Sequence, residues 1–276
     1  MLRLGVSVEW PGMKVSFKKI LRGINGRYLL RLLLYKLVAM ALRAVDAVRY
    51  FPGRVKRLAR HFQEGWGRLR AVPQSEFVSQ TAGGSVAWWW LEFVLMVLDC
   101  LAFGELYEAL MDLLKFNTRP LTIREKQLAR PIFGKAINYE RVRIDTYAFA
   151  GPRQFKLCYV SFYLINSWGR MDDALLVHEL VHVWQYQRLG IVYIPRALHA
   201  QRTKEGYNYG GAEGLQAALS DGRTLHDFNL EQQADIVADY FRILEGGSPH
   251  WGYADPTALP LYELFVQQVS KPAGRG

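Results

Sequence analysis

The chain has very few cysteines. Of its 276 residues only Cys100 and Cys158 are cysteine, and they lie far apart in different sequence contexts. This scarcity excludes a small secreted domain built on a disulfide framework and favours a reducing compartment. Residues 1–10 contain no apolar core followed by a small-residue cleavage site, so we expect no secretory signal peptide and a cytoplasmic location.

Long apolar runs are also lacking. The stretch 87–103 is 17 residues long and includes Glu92 and Asp99, whereas a membrane-spanning helix needs about 20 apolar residues. Each acid near the middle of a bilayer costs about 2.5 kcal/mol or more. We therefore expect a buried or surface-lying helix with both acids on one face, and the tryptophans at 88–90 suit a membrane interface.

Acidic residues are scarce in the N-terminal part of the chain. Residues 1–75 hold 16 Lys and Arg against three acids, although the net charge of the whole chain is only +10. Such asymmetry indicates an anionic partner, either a phospholipid surface or nucleic acid. No nucleic-acid-binding motif is recognisable, so lipid is favoured and nucleic acid is not expected.

Residues 29–51 predict a helix whose charged residues fall within an arc of about 140°. Two interpretations are open. The helix can lie on an anionic membrane, or its charged face can be solvated while the other face packs against the protein. The residues in the arc are Arg31, Lys36, Arg43, Asp46 and Arg49.

The polar run at 115–120 predicts a boundary between a basic, mostly helical region (1–116) and a second domain (117–276), and 71–86 predicts a loop. A capping-box pattern from Thr122 to Glu125 predicts a helix that ends at Pro131 or Gly134. Two segments rich in β-branched and aromatic residues then predict two strands, paired as a hairpin just before the next helix. These segments are 141–149 and 156–166.

That next helix carries metal-binding chemistry. It is expected to begin at Asp172 or Asp173 and to end at Leu189, with Gly190 as its stop. His178 and His182 are four residues apart, so both imidazoles can reach one ion. Glu179 projects about 100° round the helix from His178, close enough to hold a water on that ion.

A third ligand is sought downstream. The metzincin extension fails, because Gln185 and Arg188 occupy the positions where it needs Gly and His. A later helix, whose start is marked by Asn229 and Gln232, offers Glu231 in its first turn and Asp235 one turn on. Glu231 is the candidate third metal ligand, and Asp235 is the candidate acceptor for the far nitrogen of a ligating histidine.

The pattern HELVH followed by ExxxD resembles the gluzincins. Residues from about 121 to 244 are more narrowly similar to the metallopeptidase domain found beside bacterial contractile injection systems and Vgr-related proteins. The resemblance covers somewhat under half of the chain and implies a zincin-like α+β fold, predominantly helical with a small antiparallel sheet, and one zinc ion. The similar blocks are LTIREKQLARPIFGKAINYERVRI (121–144), LLVHELVHVWQYQ (175–187), YNYG (207–210) and FNLEQQADIVADYF (228–241).

The expected function is a zinc-dependent peptidase of a bacterial cell, peripheral to the inner membrane, with a polypeptide substrate. Glu179 is the expected general base, and Tyr207 and Tyr209 are the first candidates for holding the oxyanion, ahead of His199 and His226. The alternative is a non-catalytic zinc-binding assembly or effector protein of a secretion or injection system. Either protein would contact an anionic membrane through residues 29–51 and 87–103.

Overall fold

The computed structural model describes residues 9–10, 13–14, 26–71, 86–115, 117–155 and 157–270. The chain divides into two compact units, Met1–Arg49 and Tyr50–Gly276. The predicted loop at 71–86 falls outside the described residues except at its two ends, and the predicted domain boundary after residue 116 stays a prediction.

The first unit contains a two-stranded antiparallel pair, β1 (Glu9–Trp10) and β2 (Met13–Lys14), and the first part of a long helix. This helix, α1 (Gly26–Ala71), confirms the helix expected at 29–51 and continues into the second unit. The solvated charged face, one of the two interpretations of this helix, does not hold for Lys36 and Arg43, which are buried. The exposed residues of this stretch include large apolar ones, namely Leu30, Leu34, Leu37, Val38, Met40, Leu42, Val45 and Val48.

The second unit is mostly helical. After the end of α1 come α2 (Val86–Cys100), α3 (Phe103–Leu114), α4 (Ile123–Phe133), α5 (Asp173–Leu189), α6 (Tyr193–Arg202), α7 (Gly211–Ser220), α8 (Leu230–Leu244) and α9 (Leu259–Ser270). Among the described residues no single helix is long and apolar enough to cross a membrane. Helices α2 and α3, bent by 66° at their junction, reach that length and composition only as a pair.

A small four-stranded sheet lies beside these helices. Its strands are β3 (Thr118–Pro120), β4 (Arg143–Asp145), β5 (Tyr159–Ser161) and β6 (Leu164–Asn166), in the order β3-β4-β6-β5. Strands β4 and β6 run parallel, while β3 is antiparallel to β4 and β5 is antiparallel to β6. The expectation of an antiparallel sheet was therefore wrong, because the sheet is mixed.

The predicted hairpin between 141–149 and 156–166 was wrong for a local reason. The second segment reverses at Phe162 and forms a hairpin of its own, β5–β6, so that β6 then runs parallel to β4. Phe162 has φ +63°, in the left-handed region that favours glycine. Its buried ring lies 5.2 Å from that of Tyr107 and 5.0 Å from that of Tyr186, so tertiary packing stabilises a turn that the local sequence does not signal.

Side-chain caps fix where the three helices around the site begin. The Thr122–Glu125 capping box opens α4, which Gly134 ends as predicted. The Asp172 side chain accepts a hydrogen bond from Leu175 N and opens α5, and Asn229 with Gln232 forms the capping box of α8. Each cap satisfies main-chain groups that a helix end leaves unpaired, so the sequence sets the register of each helix.

Helix α5 is the centre of the core. It packs along α8 and is buried on every side between residues 176 and 186, as its apolar sequence predicts. Its C-terminal end approaches α2 closely at Gly190, which has φ +72°. A Cβ built there would lie 2.1 Å from Oδ2 of Asp99, an oxygen held by Arg57 at 2.8 Å.

Replacement of Gly190 by alanine tests this approach. We expect Gly190→Ala to lower the free energy of unfolding by about 1–3 kcal/mol, from the left-handed backbone and from displacement of Asp99. The measurement is urea denaturation followed by circular dichroism. Gly246→Ala is the matched control, because Gly246 has φ +77° with open space around its Cβ position. Equal losses in the two variants would contradict the close approach.

Candidate metal centre

Helix α5 presents two imidazoles to one point. His178 and His182 are one helical turn apart and buried, and their Nε2 atoms are 3.2 Å from each other. This is the geometry that the i, i+4 spacing predicts. Two lone pairs that face each other at this distance can share a cation.

Helix α8 adds a carboxylate to the same point. Its capping box places Glu231 in the first turn, and the side chain is 1% exposed. Oε2 of Glu231 lies 3.5 Å from Nε2 of His178 and 3.4 Å from Nε2 of His182. Ligands held tetrahedrally at 2.0–2.1 Å from a zinc ion are about 3.3–3.4 Å apart. The three atoms therefore have the spacing of three tetrahedral ligands.

The hydrogen bonds of Glu231 show which of its oxygens is available to a metal. Oε1 accepts a hydrogen bond from Nε2 of Gln201 at 2.9 Å. Oε2 is buried and has no hydrogen-bond partner among the described residues. A buried carboxylate oxygen without a partner is costly, and a cation between it and the two imidazoles removes that cost. The residues present thus fit one divalent metal ion, His178, His182 and Glu231 being the candidate ligands.

A carboxylate orients His178. Its Nδ1 lies 2.8 Å from Oδ1 of Asp235, so Nδ1 carries the proton and donates it, and Nε2 keeps its lone pair for a metal. Oδ2 of Asp235 accepts a hydrogen bond from the indole N–H of Trp251. Asp235 thus lies where the sequence analysis expected an acceptor for a ligating histidine.

A chain of amides orients His182. Nδ1 of His182 lies 2.8 Å from Oε1 of Gln185, whose amide nitrogen donates to Leu230 O at 2.8 Å and to Oε1 of Gln233 at 3.1 Å. Gln233 in turn donates to Phe228 O at 2.9 Å. Each of these amide nitrogens donates to a carbonyl oxygen. Oε1 of Gln185 must therefore be the hydrogen-bond acceptor for Nδ1 of His182. His182 must then donate from Nδ1, and its Nε2 is also free for a metal.

The electrostatics of the cluster are those of a cation site. Burial disfavours the charged form of His178, but the hydrogen bond with Asp235 and the nearby carboxylate of Glu231 outweigh it and raise its pKa to about 10. Burial likewise opposes ionisation of Glu231, yet the two histidines lower its pKa below the ordinary value. The surrounding carboxylates thus concentrate negative potential at the two imidazoles, where a metal ion competes with protons.

Glu179 lies beside the cluster without sharing its ligand positions. Its side chain is buried, Oε2 has no hydrogen-bond partner among the described residues, and the thiol of Cys158 lies against the carboxylate. Burial raises its pKa above that of an ordinary glutamate. A carboxylate with a raised pKa and a free oxygen is suited to accept and return a proton.

The cluster opens into a cavity of about 900 Å³. One wall is strand β5 with the residues before it, at 157–161, and another is α6 at 193–201. Arg242, His250 and Trp251 line the far end. The cavity thus brings an edge strand and several polar side chains to the candidate metal position.

The structure separates the two candidate tyrosines. Tyr207 is half-buried and lines the cavity, with its ring 6.2 Å from that of His178. Tyr209 is 5% exposed and points away, with its hydroxyl bonded to Asp239 at 2.7 Å and to the hydroxyl of Tyr262 at 2.8 Å. Of these two tyrosines, Tyr207 is the one placed to reach a molecule in the cavity, and burial raises its pKa, so the phenol remains a proton donor.

The lower-ranked histidines lie elsewhere. His199 and His226 both line a second cavity of about 540 Å³ on the other side of α5, and neither lines the cavity of the metal cluster. His199 contacts Trp88, and His226 stacks on Trp184. Neither is placed to contact a molecule bound at the candidate metal position.

Several supporting residues were missed by sequence reasoning. Gln185, Gln201 and Trp251 come from three different segments, and no motif connects them. Asp239 had a signal, since it follows Glu231 and Asp235 at the same spacing of four along α8. Its buried carboxylate accepts hydrogen bonds from the main-chain N–H groups of His250 and Trp251, at 2.6 and 3.2 Å, and so holds the indole that supports Asp235.

Comparison with known proteins gives one informative similarity. The chain is 32% identical over 139 residues to the type VI secretion system spike protein VgrG2b of Pseudomonas aeruginosa, and the match covers 45% of this chain and 13% of that protein. No family model and no solved structure matches the chain. The similarity links part of this chain to a bacterial secretion-system protein, of which it corresponds to a small portion.

The amide chain behind His182 yields a prediction about metal affinity. Gln185→Leu should weaken metal binding by about 10–100-fold, because Nδ1 of His182 loses its acceptor. Competition with a chromophoric chelator measures the affinity for zinc and for cobalt.

Gln187→Leu is the matched control for this substitution. Gln187 is on the same helix but bonds only to the main chain of Asn138 and Ala136. We therefore expect an unchanged affinity in that variant. If Gln185→Leu binds metal as tightly as the parent protein, the amide chain has no part in holding the ligand.

Proposed function

We propose that the protein is a zinc-dependent peptidase with a zincin-like active site in the 900 Å³ cavity. The observation that carries the proposal is the placement of Glu179. Its buried carboxylate, one oxygen of which has no hydrogen-bond partner among the described residues, lies next to a cluster of two imidazoles and one carboxylate with tetrahedral spacing. A structural metal site is closed by its ligands and needs no such group, whereas a hydrolytic site needs a base beside an open coordination position.

The donor set favours zinc. Two neutral imidazoles and one carboxylate oxygen are borderline ligands of the kind that hydrolytic zinc sites use, and three protein ligands leave a fourth position open. Calcium and magnesium prefer six or more oxygen ligands, which this cluster does not supply from the described residues. One zinc per chain is therefore the expected metal content.

The chain's own residues would divide the work of peptide hydrolysis. Zinc, when bound, supplies a Lewis acid that polarises a carbonyl and acidifies a water. Glu179 accepts a proton from the attacking water at its free oxygen and delivers it to the departing amine. Asp235 and Gln185 hold the two imidazoles in the required tautomer, and the phenol of Tyr207 donates a hydrogen bond to the developing oxyanion.

The cavity wall favours a polypeptide substrate. Strand β5 is at the edge of the sheet, and residues 157–161 line the cavity. Alternate residues of an edge strand direct their main-chain groups away from the sheet, where an extended peptide can pair with them. One of these groups, the carbonyl of Val160, accepts a hydrogen bond from the hydroxyl of Tyr193, so substrate pairing is expected at the next alternate residue, Cys158.

A second candidate function follows from the similarity to a secretion-system spike protein. In that case the metal holds α5 and α8 together, and the chain serves as a non-catalytic assembly or effector module. Both functions require metal at His178, His182 and Glu231. They differ in whether Glu179 does chemistry.

Glu179→Gln discriminates between the two functions. The variant should bind one zinc per chain as the parent does, because Glu179 is not a ligand, and it should lose about 10²–10⁴-fold in the rate of peptide cleavage. Metal analysis and a broad peptide library read by mass spectrometry give the two measurements. His182→Ala is the control that should lose both zinc and activity. The peptidase proposal is rejected if the parent protein cleaves no peptide or if the Gln variant cleaves as fast as the parent. The non-catalytic assembly function would then be the remaining candidate.

The two tyrosines provide a paired test of the oxyanion donor. Tyr207→Phe should lower kcat by about 10²–10³-fold with little change in KM, because the lost hydrogen bond forms only in the transition state. Tyr209→Phe should lower stability by about 1 kcal/mol through its lost bonds and leave kcat of the folded protein unchanged. Steady-state kinetics on the best library peptide measure both. The assignment fails if the Tyr209 variant loses activity and the Tyr207 variant keeps it.

A further inference from the structure

Helices α2 and α3 bury most of their acidic residues and expose many of their apolar ones. In a helix on the surface of a water-soluble protein, charged residues face the solvent and apolar residues face the core. Here four of the five acids of the two helices, Glu92, Asp99, Glu105 and Glu108, are buried, and the fifth, Asp112, is partly buried. The exposed side includes a set of large apolar residues, which we call the α2–α3 apolar face, namely Trp90, Leu91, Val94, Leu101, Phe103, Leu106, Leu110, Leu113 and Leu114.

The buried acids of α2 are paired with the rest of the second unit. Glu92 binds the guanidinium of Arg196 through both oxygens, at 2.6 and 2.9 Å. Asp99 pairs with Arg57 at 2.8 Å and with Arg54 at 3.5 Å.

The acids of α3 are held in the same way. Glu105 pairs with Arg54, and Glu108 accepts a hydrogen bond from Tyr163 N at 2.9 Å. These ion pairs and hydrogen bonds hold the polar sides of both helices against the protein. Their apolar sides therefore face outward.

An exposed face of this kind is too apolar for water. Isolated apolar residues are normal on a protein surface, but a contiguous patch marks contact with a partner or a membrane. Leu106, Leu110, Leu113 and Leu114 follow one another at helical spacing and are each 47–67% exposed. Among the described residues, no polar side chain lies between these four leucines on that side. Transfer of the face from water to hydrocarbon is therefore favourable.

Two neighbouring features favour lipid over a protein partner. A cluster of indoles and phenyl rings, including Trp66, Trp89, Trp90 and Phe93, lies at the N-terminal end of α2. Indole rings are enriched where hydrocarbon meets the lipid headgroups. Among residues 50–66 of the adjoining α1, the basic side chains of Lys56 and Arg60 are exposed, against one exposed acid, Glu64, so this surface suits anionic headgroups.

We propose that the α2–α3 apolar face embeds in the hydrocarbon of an anionic phospholipid bilayer, with Lys56 and Arg60 against the headgroups. The 66° bend between the two helices suits a shallow wedge in one leaflet. The salt bridges of Glu92, Asp99 and Glu105 then lie on the protein side, where they need not enter hydrocarbon.

The test is sedimentation of the full chain with vesicles. Vesicles of phosphatidylglycerol and phosphatidylcholine should carry down the parent protein, and pure phosphatidylcholine vesicles should carry down less. The double substitution Leu106→Gln with Leu110→Gln should lower the partition coefficient by at least about tenfold, since two leucines leave hydrocarbon. Leu264→Gln is the matched control, because Leu264 of α9 is 50% exposed and outside the face. We expect that control to bind as the parent does.

A second measurement uses the parent protein alone and does not depend on how a variant folds. Vesicles whose acyl chains carry bromine quench indoles that reach hydrocarbon, so the tryptophan fluorescence of the parent protein should fall on binding.

Three results would each overturn the proposal: a parent protein that does not bind the anionic vesicles, a double variant that binds equally well, and binding without quenching. A fourth contradicting result concerns dimers. Light scattering would show that the parent protein is a dimer, that the double substitution dissociates it, and that the dimer does not bind vesicles. In that case the face pairs two copies of the chain.

Discussion

The packing of α5 along α8 is the contact on which the candidate site depends. Helix α5 supplies two imidazoles and α8 supplies the facing carboxylate, and no loop contributes to the three atoms that face one another at 3.2–3.5 Å. A site carried by two packed helices is held more firmly than one carried by loops. The residues that bury the two helices, Val177, Leu180 and Val181 on one side and Ala234 and Val237 on the other, therefore also set the ligand positions.

The polar groups inside this packing form a connected network. Each candidate ligand has one atom directed at the metal position and one bonded to a neighbour, which is Asp235, Gln185 or Gln201. Buried polar groups destabilise a protein when they lack partners, and hydrogen bonds to neighbours fix their geometry. Here the atoms left without partners include Oε2 of Glu231 and Oε2 of Glu179. The network thus leaves unsatisfied the groups that metal binding and proton transfer would use.

Local sequence rules were sufficient for the helices of the site and insufficient for its surroundings. Caps and spacing placed α4, α5 and α8, because each rule depends on residues close in the chain. The gluzincin pattern, and no local rule, joined Glu231 and Asp235 to His178 and His182. The mixed sheet could not be predicted in this way, since its direction depends on the turn at Phe162, which rings from distant helices stabilise. Gln201 and Trp251 act across distances in sequence that no local pattern spans, and Tyr207 and Tyr209 were separated only by their tertiary partners.

Helix α8 carries three acidic residues of the site at a regular spacing of four. Glu231, Asp235 and Asp239 stand one turn apart, and they respectively face the metal position, orient His178 and hold the segment 250–251. Inserting or deleting a single residue within this helix would turn everything beyond it by about 100° and shift it by about 1.5 Å. All the functions downstream of the change would then be lost together. This helix therefore tolerates changes of side chain far better than changes of length, and its number of residues is itself a part of the site.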